Sequence, residues 1–465
     1  MERGGRCAKF APMRLAHCVM VFVAFGCGPS SRGGGDDDQV GVDAPYSGPT
    51  GILRGKVWAP GLAPGMTAAG EEIPVAGAAV YLTGTRPPPI PNGVYCEPCQ
   101  AAPAGAVVSD PTGAFVLPGA IPGRRWLVIQ KGQFRLEQEL DVTTADITLD
   151  NAQTTLPSHM DQANGKWIPR IAIAAGSYDH LENILGKMGL GTVDASGVYD
   201  GTGGQLDLAD NGGTTLGVSI GSFDTLVRDP AKLATYHIVF VPCSGDSNTA
   251  ALRDQQVLKN LRNYVKAGGK LYVTDWSGEW MDNVFPAQVQ LGGTAFGGAI
   301  DTPASAYTKA TDVWTTSQFG NADGDAYDSS DADAIDPSLA AWLGAQRGPT
   351  PSSATSAAIN PHRFEAVDNW NFIQQLTQIQ IGVDPNGQPV MDTPKAWVTG
   401  TNAGPFGGGA RHPLTVTFEP AGCGRVMYST YHTTAGGHRG LYPQERILLY
   451  LIMEIGVCSD NPVIL

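Results

Sequence analysis

Positive charge is in short supply in this chain. Its 465 residues hold 30 lysines and arginines against 44 aspartates and glutamates, a formal net charge of −14. With no basic patch it is a poor partner for nucleic acid. Only 16% of residues are charged, so the charge serves solubility more than any one partner. The apolar run near the N-terminus, Cys18 to Phe25, is too short to cross a membrane as a permanent helix. Several motifs are also incomplete. Ser277 lacks the Gly-x-Ser-x-Gly elbow that forces a nucleophile into the open. Gln100 follows Cys96-Glu97-Pro98-Cys99 where a c-type haem site needs histidine. The acidic run Asp323 to Asp333 lacks the glycine and final glutamate of an EF-hand loop, so it reads as a solvated loop rather than a calcium site. What is plentiful is glycine and proline, 60 and 34 residues, which means many turns. The length predicts two or more domains.

The clearest pattern runs from Tyr236 to Trp280. His237 to Pro242 is a short apolar, β-branched run and predicts a buried strand. Val257, Leu258, Leu261, Tyr264 and Val265 then recur at helical spacing. Gly268 and Gly269 stop that helix, and Leu271 to Thr274 predicts a second strand. Strand, helix and strand with short links make a βαβ unit with parallel strands. Ligands of such sheets sit beyond the carboxyl ends of the strands. Those ends are Cys243-Ser244-Gly245-Asp246 and Asp275-Trp276-Ser277-Gly278.

The phrase Asn263 to Leu271 resembles the approach to the central strand in the class I glutamine amidotransferase-like fold, especially its ThuA-like relatives. Ile168 to Ala175 followed by a helix from Tyr178 to Met188 is similar to that fold's first strand–helix pair. Near the end, Pro413 to Phe418, a turn at Gly422-Cys423-Gly424 and Arg425 to His432 read as a hairpin. In the family such a hairpin brings a histidine to the active-site edge, a position His432 matches. The family's cysteine nucleophile follows its second strand, where this chain has Asp275, Trp276 and Ser277. Its histidine–glutamate pair is also absent, since Thr434 stands two residues after His432. The resemblance therefore implies a flavodoxin-like, largely parallel sheet without amidotransferase chemistry.

Residues 1–26 read as a targeting segment. Its last residues and the next, Val23-Ala24-Phe25-Gly26-Cys27, resemble a bacterial lipobox, which implies lipidation of Cys27. Residues 27–50, with Gly33-Gly34-Gly35 and Asp36-Asp37-Asp38, suit a solvated tether. Gly28 after the cysteine points, by resemblance to enterobacterial sorting, to the outer membrane. The expected location is the bacterial cell envelope, with the membrane as partner through the lipid on Cys27.

Residues 51–150 hold short β-forming runs between Gly/Pro turns, which suggests an antiparallel β-sandwich. Their order, with the phrase Asp110-Pro111-Thr112-Gly113-Ala114-Phe115, resembles the carboxypeptidase regulatory-like domain, a transthyretin-like or carbohydrate-binding-like module. Asp110 and Gly113 are expected to make a tight turn, with Phe115 in the core. An insert, Arg86 to Ala104, carries Cys96 and Cys99. Their spacing suits a redox pair or half a zinc site, but further ligands are missing from the domain, and a local Cys96–Cys99 disulfide is the favoured reading. Cys423 with Cys458 is the second expected pair, which leaves Cys243 over. Residues 151–166 read as a polar linker and 190–229 as loops with a short strand near Leu216 to Ile220. The rest, 167–460, is the α/β domain, with a long insertion at about 287–395 and a final helix opened by Pro443.

The fold expected is thus an N-terminal β-sandwich followed by an α/β domain. The function expected is a non-catalytic binding or scaffold role, towards a glycan or another envelope component. Ser244, Asp246, Trp276 and Trp280 are its candidate binding residues; no metal or cofactor is expected. The alternative is a hydrolase in which Ser277 or Cys243 is the nucleophile, His432 the base and Asp275 or Asp246 the orienting acid.

Overall fold

Backbone alternation along the parallel strands dictates the centre of the molecule. Ile171, Ile173, Ile238, Phe240, Tyr272 and Met427 point into one apolar core. Ala172, Ala174, Val239, Val241, Leu271, Val273, Val426 and Tyr428 point into another on the opposite face. Strands buried on both faces are continuous apolar runs, and those of this sheet read that way. The computed structural model describes residues 46–96, 103–213, 217, 219–244, 249–252, 254–292, 307–308, 313–314, 329–346, 362–401, 411–433 and 437–455. The expected leader, nearly all of the tether, Cys27, Cys99, Asp246 and Cys458 lie outside these residues.

The chain is multi-sheet, mostly β with some helices, around one large mixed sheet of ten strands. Its parallel part runs, from the edge, Ser219–Ser222, Leu206–Asp210, Ile171–Ala175, Ile238–Val241, Lys270–Thr274 and Arg425–Ser429. It continues antiparallel through Arg411–Phe418, Lys395–Thr401, Ser329–Ala334 and Arg363–Val367. Two expectations change here. Residues 190–229 hold two strands and the helix Phe223–Arg228, where mostly loop was expected. Part of the expected insertion at 287–395 extends the sheet itself, because Ala332, Ala334, Phe364 and Ala366 supply one buried face at period two. Asp331 and Asp333, in the acidic run, stand on that strand with Arg363, His362 and Arg411 as ion-pair partners.

Helix Gln255–Lys266 covers the second core face with the apolar stripe read from the sequence. Asp254 starts it by accepting the Gln256 amide at 2.9 Å. The last helix, Pro443–Ile455, lies on the first face, with Ile447 to Met453 all buried.

Two smaller sheets are built from the N-terminal part. One orders Ala114–Ala120, Gly51–Lys56 and Asp146–Thr148; the other Val107–Val108, Ala79–Thr83, Gly123–Lys131, Phe134–Val142 and Lys166–Trp167. Asp110 Oδ1 accepts the Thr112 and Ala114 amides at 2.8 and 3.0 Å, Gly113 turns with φ +80°, and Phe115 is buried. Residues 151–166, polar in sequence, are structured. They hold a capped helix at Asn151–Thr154 and the buried Leu156.

From Gly48 onward the chain forms one compact unit. Leu53, Phe115 and Leu127 of the small sheets share a core with Ile173, Phe240 and Leu448. Trp342 donates across to the Pro74 carbonyl at 2.8 Å. The proline-rich insert docks on the amino-terminal edge of the parallel strands. His237 Nε2 meets the Pro91 carbonyl at 2.9 Å while Nδ1 accepts the Arg170 amide at 2.8 Å. The Val94 amide donates to the Ala234 carbonyl at 2.9 Å. Cys96 is disulfide-bonded to Cys423, with Cα atoms 5.5 Å apart. This replaces both expected pairings, Cys96 with Cys99 and Cys423 with Cys458. Docking of the insert puts Cys96 beside the turn before Arg425–Ser429, and spatial proximity decides the pairing.

Candidate functional site

At the opposite edge the parallel strands release their carboxyl ends into a cavity of about 370 Å³. Tyr178 follows Ile171–Ala175, Cys243 follows Ile238–Val241, Asp275 and Trp276 follow Lys270–Thr274, and His432 follows Arg425–Ser429. Asp368 and Trp370, after Arg363–Val367, complete the lining.

Asp275 occupies the strand-to-helix turn with φ +45°. Asp368 has φ +52°, and among the described residues these are the two non-glycine positions with positive φ. Both line the cavity. Such backbone costs about 1–3 kcal/mol and persists only where neighbours hold it. The Asp275 carbonyl is held by the Tyr428 hydroxyl at 3.0 Å and the Asn371 side-chain amide at 3.4 Å. The Asp368 carbonyl accepts the His432 amide at 3.0 Å.

The Asp275 carboxylate is fully buried and lies 3.0 Å from His432 Nε2, a close charge contact without an aligned hydrogen bond. Burial pushes the Asp275 carboxyl up to about 7, while His432 and the Trp370 amide draw it down. Burial opposes a charge on His432, but Asp275, Asp179 and Asp368 outweigh it and raise the imidazole above its ordinary value. Cys243 is a buried free cysteine whose thiol is pushed well above its usual range, first by burial and then by Asp275. One ligand-type atom each from Cys243, Asp275 and His432 lies within 4.8 Å of the others.

Asp179 ties these segments together from beneath. Its Oδ2 accepts the Thr274 hydroxyl and the Thr433 amide, both at 2.8 Å. The Thr274 hydroxyl in turn accepts the Cys243 amide at 2.9 Å. Aromatic rings form the walls. Trp276 meets Tyr178 and Trp370 edge-on, with ring centres 6.4 and 6.1 Å apart, and its Nε1 reaches the Trp370 carbonyl at 3.3 Å.

The structure thus brings together Cys243, Asp275, Trp276 and His432 from the residues singled out in the sequence. It does not bring Ser277, whose buried hydroxyl donates to the Pro242 carbonyl at 2.8 Å and is not part of the lining. Trp280 is a core residue packed on Phe223 at 4.8 Å, not a binding surface. Ser244 is buried with its hydroxyl on the Asn211 carbonyl at 2.5 Å. In each case the helical turn after the strand or the sheet edge uses the side chain internally. Tyr178, Asp179, Asp368 and Trp370 were not anticipated. The strand-end rule applied to Ile171–Ala175 points at Tyr178 and Asp179. Asp368 and Trp370 sit in a segment whose composition resembles a loop.

No family model matches the chain, and no curated protein matches it. Among solved structures, the chain is similar to a cytoplasmic protein from Salmonella typhimurium at 12% identity and a TM-score of 0.30. The match covers 61% of this chain and 98% of that one. A likeness of that depth assigns neither fold nor function.

Proposed function

We propose that this chain is a binding protein whose cavity takes a small polyhydroxylated ring, such as a sugar unit of an envelope glycan. The observation that carries the reading is the pairing of aromatic walls, Tyr178, Trp276 and Trp370, with a polar floor of Asp275, Asp368 and His432. A sugar ring has apolar C–H faces that pack on aromatic rings and hydroxyls that bond to an accessible carboxylate such as that of the half-buried Asp368. In this reading the N-terminal sheets are a regulatory-like β-sandwich and the large sheet is an amidotransferase-like α/β core. A lipid on Cys27 tethers both to the bacterial envelope.

Covalent hydrolysis is the weaker reading. Ser277 is spent on Pro242, and burial disfavours the Cys243 thiolate. The test is a tryptophan-fluorescence titration of the purified protein with a panel of mono- to tetrasaccharides. Saturable quenching by one sugar class, weakened about tenfold or more by Trp370→Ala, is the expected result. No saturable response across the panel overturns the glycan reading.

A further inference from the structure

We propose that Cys243, Asp275 and His432 hold a divalent transition-metal ion, zinc in the first instance, at the floor of this cavity. The inference goes beyond the binding reading above and stands without it.

Three kinds of ligand converge from the ends of three adjacent parallel strands, a thiol, a carboxylate and an imidazole. That donor set suits a borderline-soft ion such as Zn²⁺ and does not suit calcium or magnesium, which take oxygen. Zinc bonds of roughly 2.0–2.3 Å place tetrahedral ligand atoms about 3.3–3.8 Å apart. A set already within 4.8 Å, with its carboxylate and imidazole 3.0 Å apart, closes on an ion by small side-chain rotations.

The polar atoms themselves point to a missing partner. His432, the Trp370 amide and the Cys243 thiol lie close enough to Asp275 to act on its charge, but neither carboxylate oxygen nor His432 Nε2 completes an aligned hydrogen bond, although all three are shielded from solvent. The Asp275 side chain is 0% exposed and that of His432 11%. Buried polar atoms are normally satisfied, and an ion between these side chains satisfies His432 Nε2 and one Asp275 oxygen. A thiolate and a carboxylate together cancel the charge of a divalent ion, with the imidazole neutral. Loading therefore releases the thiol proton and any proton on the carboxyl or imidazole to solvent.

The supporting shell is in place. Asp179 and Thr274 fix the backbone beside each ligand, through the Cys243 amide, the residue before Asp275 and the residue after His432. Outer partners of this kind set ligand orientation and metal affinity. Three protein ligands leave a fourth position, and all three ligands line the cavity.

The experiment uses the purified full-length protein, stripped with a chelator. Zn²⁺ is titrated against a chromogenic competitor, and Co²⁺ is added separately for absorption spectroscopy. About one tight Zn²⁺ per chain is expected, together with a thiolate-to-cobalt charge-transfer band in the near ultraviolet. The band disappears in Cys243→Ser. Zn²⁺ affinity falls about 100-fold or more in His432→Gln and about 10–100-fold in Asp179→Asn. Ser277→Ala leaves both unchanged. Circular dichroism establishes which variants fold; should Cys243→Ser fail to fold, the wild-type band and His432→Gln decide. A wild type with no charge-transfer band overturns the proposal. So does a band kept in folded Cys243→Ser, or Zn²⁺ affinity unchanged in folded His432→Gln. Sugar titration of the stripped protein reads the binding proposal separately.

Discussion

The Asp179 carboxylate accepts the Thr433 amide at 2.8 Å across 254 residues of sequence. The same oxygen accepts the Thr274 hydroxyl, so one buried side chain sets the distance between two strand ends that frame the cavity. Asp179→Ala leaves that amide and hydroxyl without their acceptor. A loss of about 2–4 kcal/mol in urea unfolding is expected, with Asp179→Asn losing less because it keeps an acceptor. Equal stability of Asp179→Ala and wild type contradicts this role.

Cys96 and Cys423 should appear as one cross-linked peptide after non-reducing digestion. Loop closure over 327 residues favours the folded state, so the Cys96→Ser/Cys423→Ser double variant should lose roughly 2–5 kcal/mol. Recovery of a Cys96–Cys99 peptide instead restores the local pairing.

His237 makes stability depend on pH. Burial, with Arg170 and Lys270 nearby, lowers its pKa to about 4, while the Pro91 carbonyl pulls the other way. Between that value and the ordinary 6.5 the unfolded chain binds more protons than the folded one. This contribution is therefore complete above about pH 6.5 and lost as pH falls towards 4, on the order of 3 kcal/mol in all. Chemical unfolding of wild type and His237→Gln across that window isolates it, and the variant should show a flatter slope.

Gly268 turns with φ +110°, and an added Cβ would sit 2.0 Å from the Tyr95 carbonyl oxygen. Gly268→Ala should cost at least about 2 kcal/mol and loosen the insert. Thermal unfolding and limited proteolysis near residue 95 measure both effects.

Cys243 should resist alkylation. Its thiol is buried and its thiolate disfavoured, so iodoacetamide should label it at least about 100-fold more slowly in the folded protein than in urea. Rapid, folding-dependent labelling revives a cysteine nucleophile.

The parallel strands and helix Gln255–Lys266 were legible because their apolar spacing is local and regular. The strand-end rule found Cys243, Asp275 and the wall residue Trp276, and the hairpin found His432. It failed at Ser277 and Trp280, where a short helical turn directs the side chains inward, a fact periodicity does not encode. Strands Ser329–Ala334 and Arg363–Val367 escape the sequence reading because charged residues alternate with apolar ones beside a long polar stretch, a pattern that reads as solvated loop until an antiparallel neighbour covers one face. Trp370 went unnoticed with them. The disulfide joins cysteines 327 residues apart, a proximity that arises only when the insert docks on the large sheet.

The link from Cys96 to Cys423 bears on the order of events during synthesis. At roughly 5–20 residues per second, the second cysteine follows the first by about 16–65 seconds. Over that interval the small N-terminal sheets wait first for Phe240 and, to its end, for Leu448 and the other side chains of the last helix that close their shared core. Their apolar faces stay open and Cys96 stays unpaired until the last hairpin arrives. A chain that stops before residue 423 therefore lacks both the partner of Cys96 and the last helix, and leaves the shared core unfinished rather than yielding a self-contained N-terminal module.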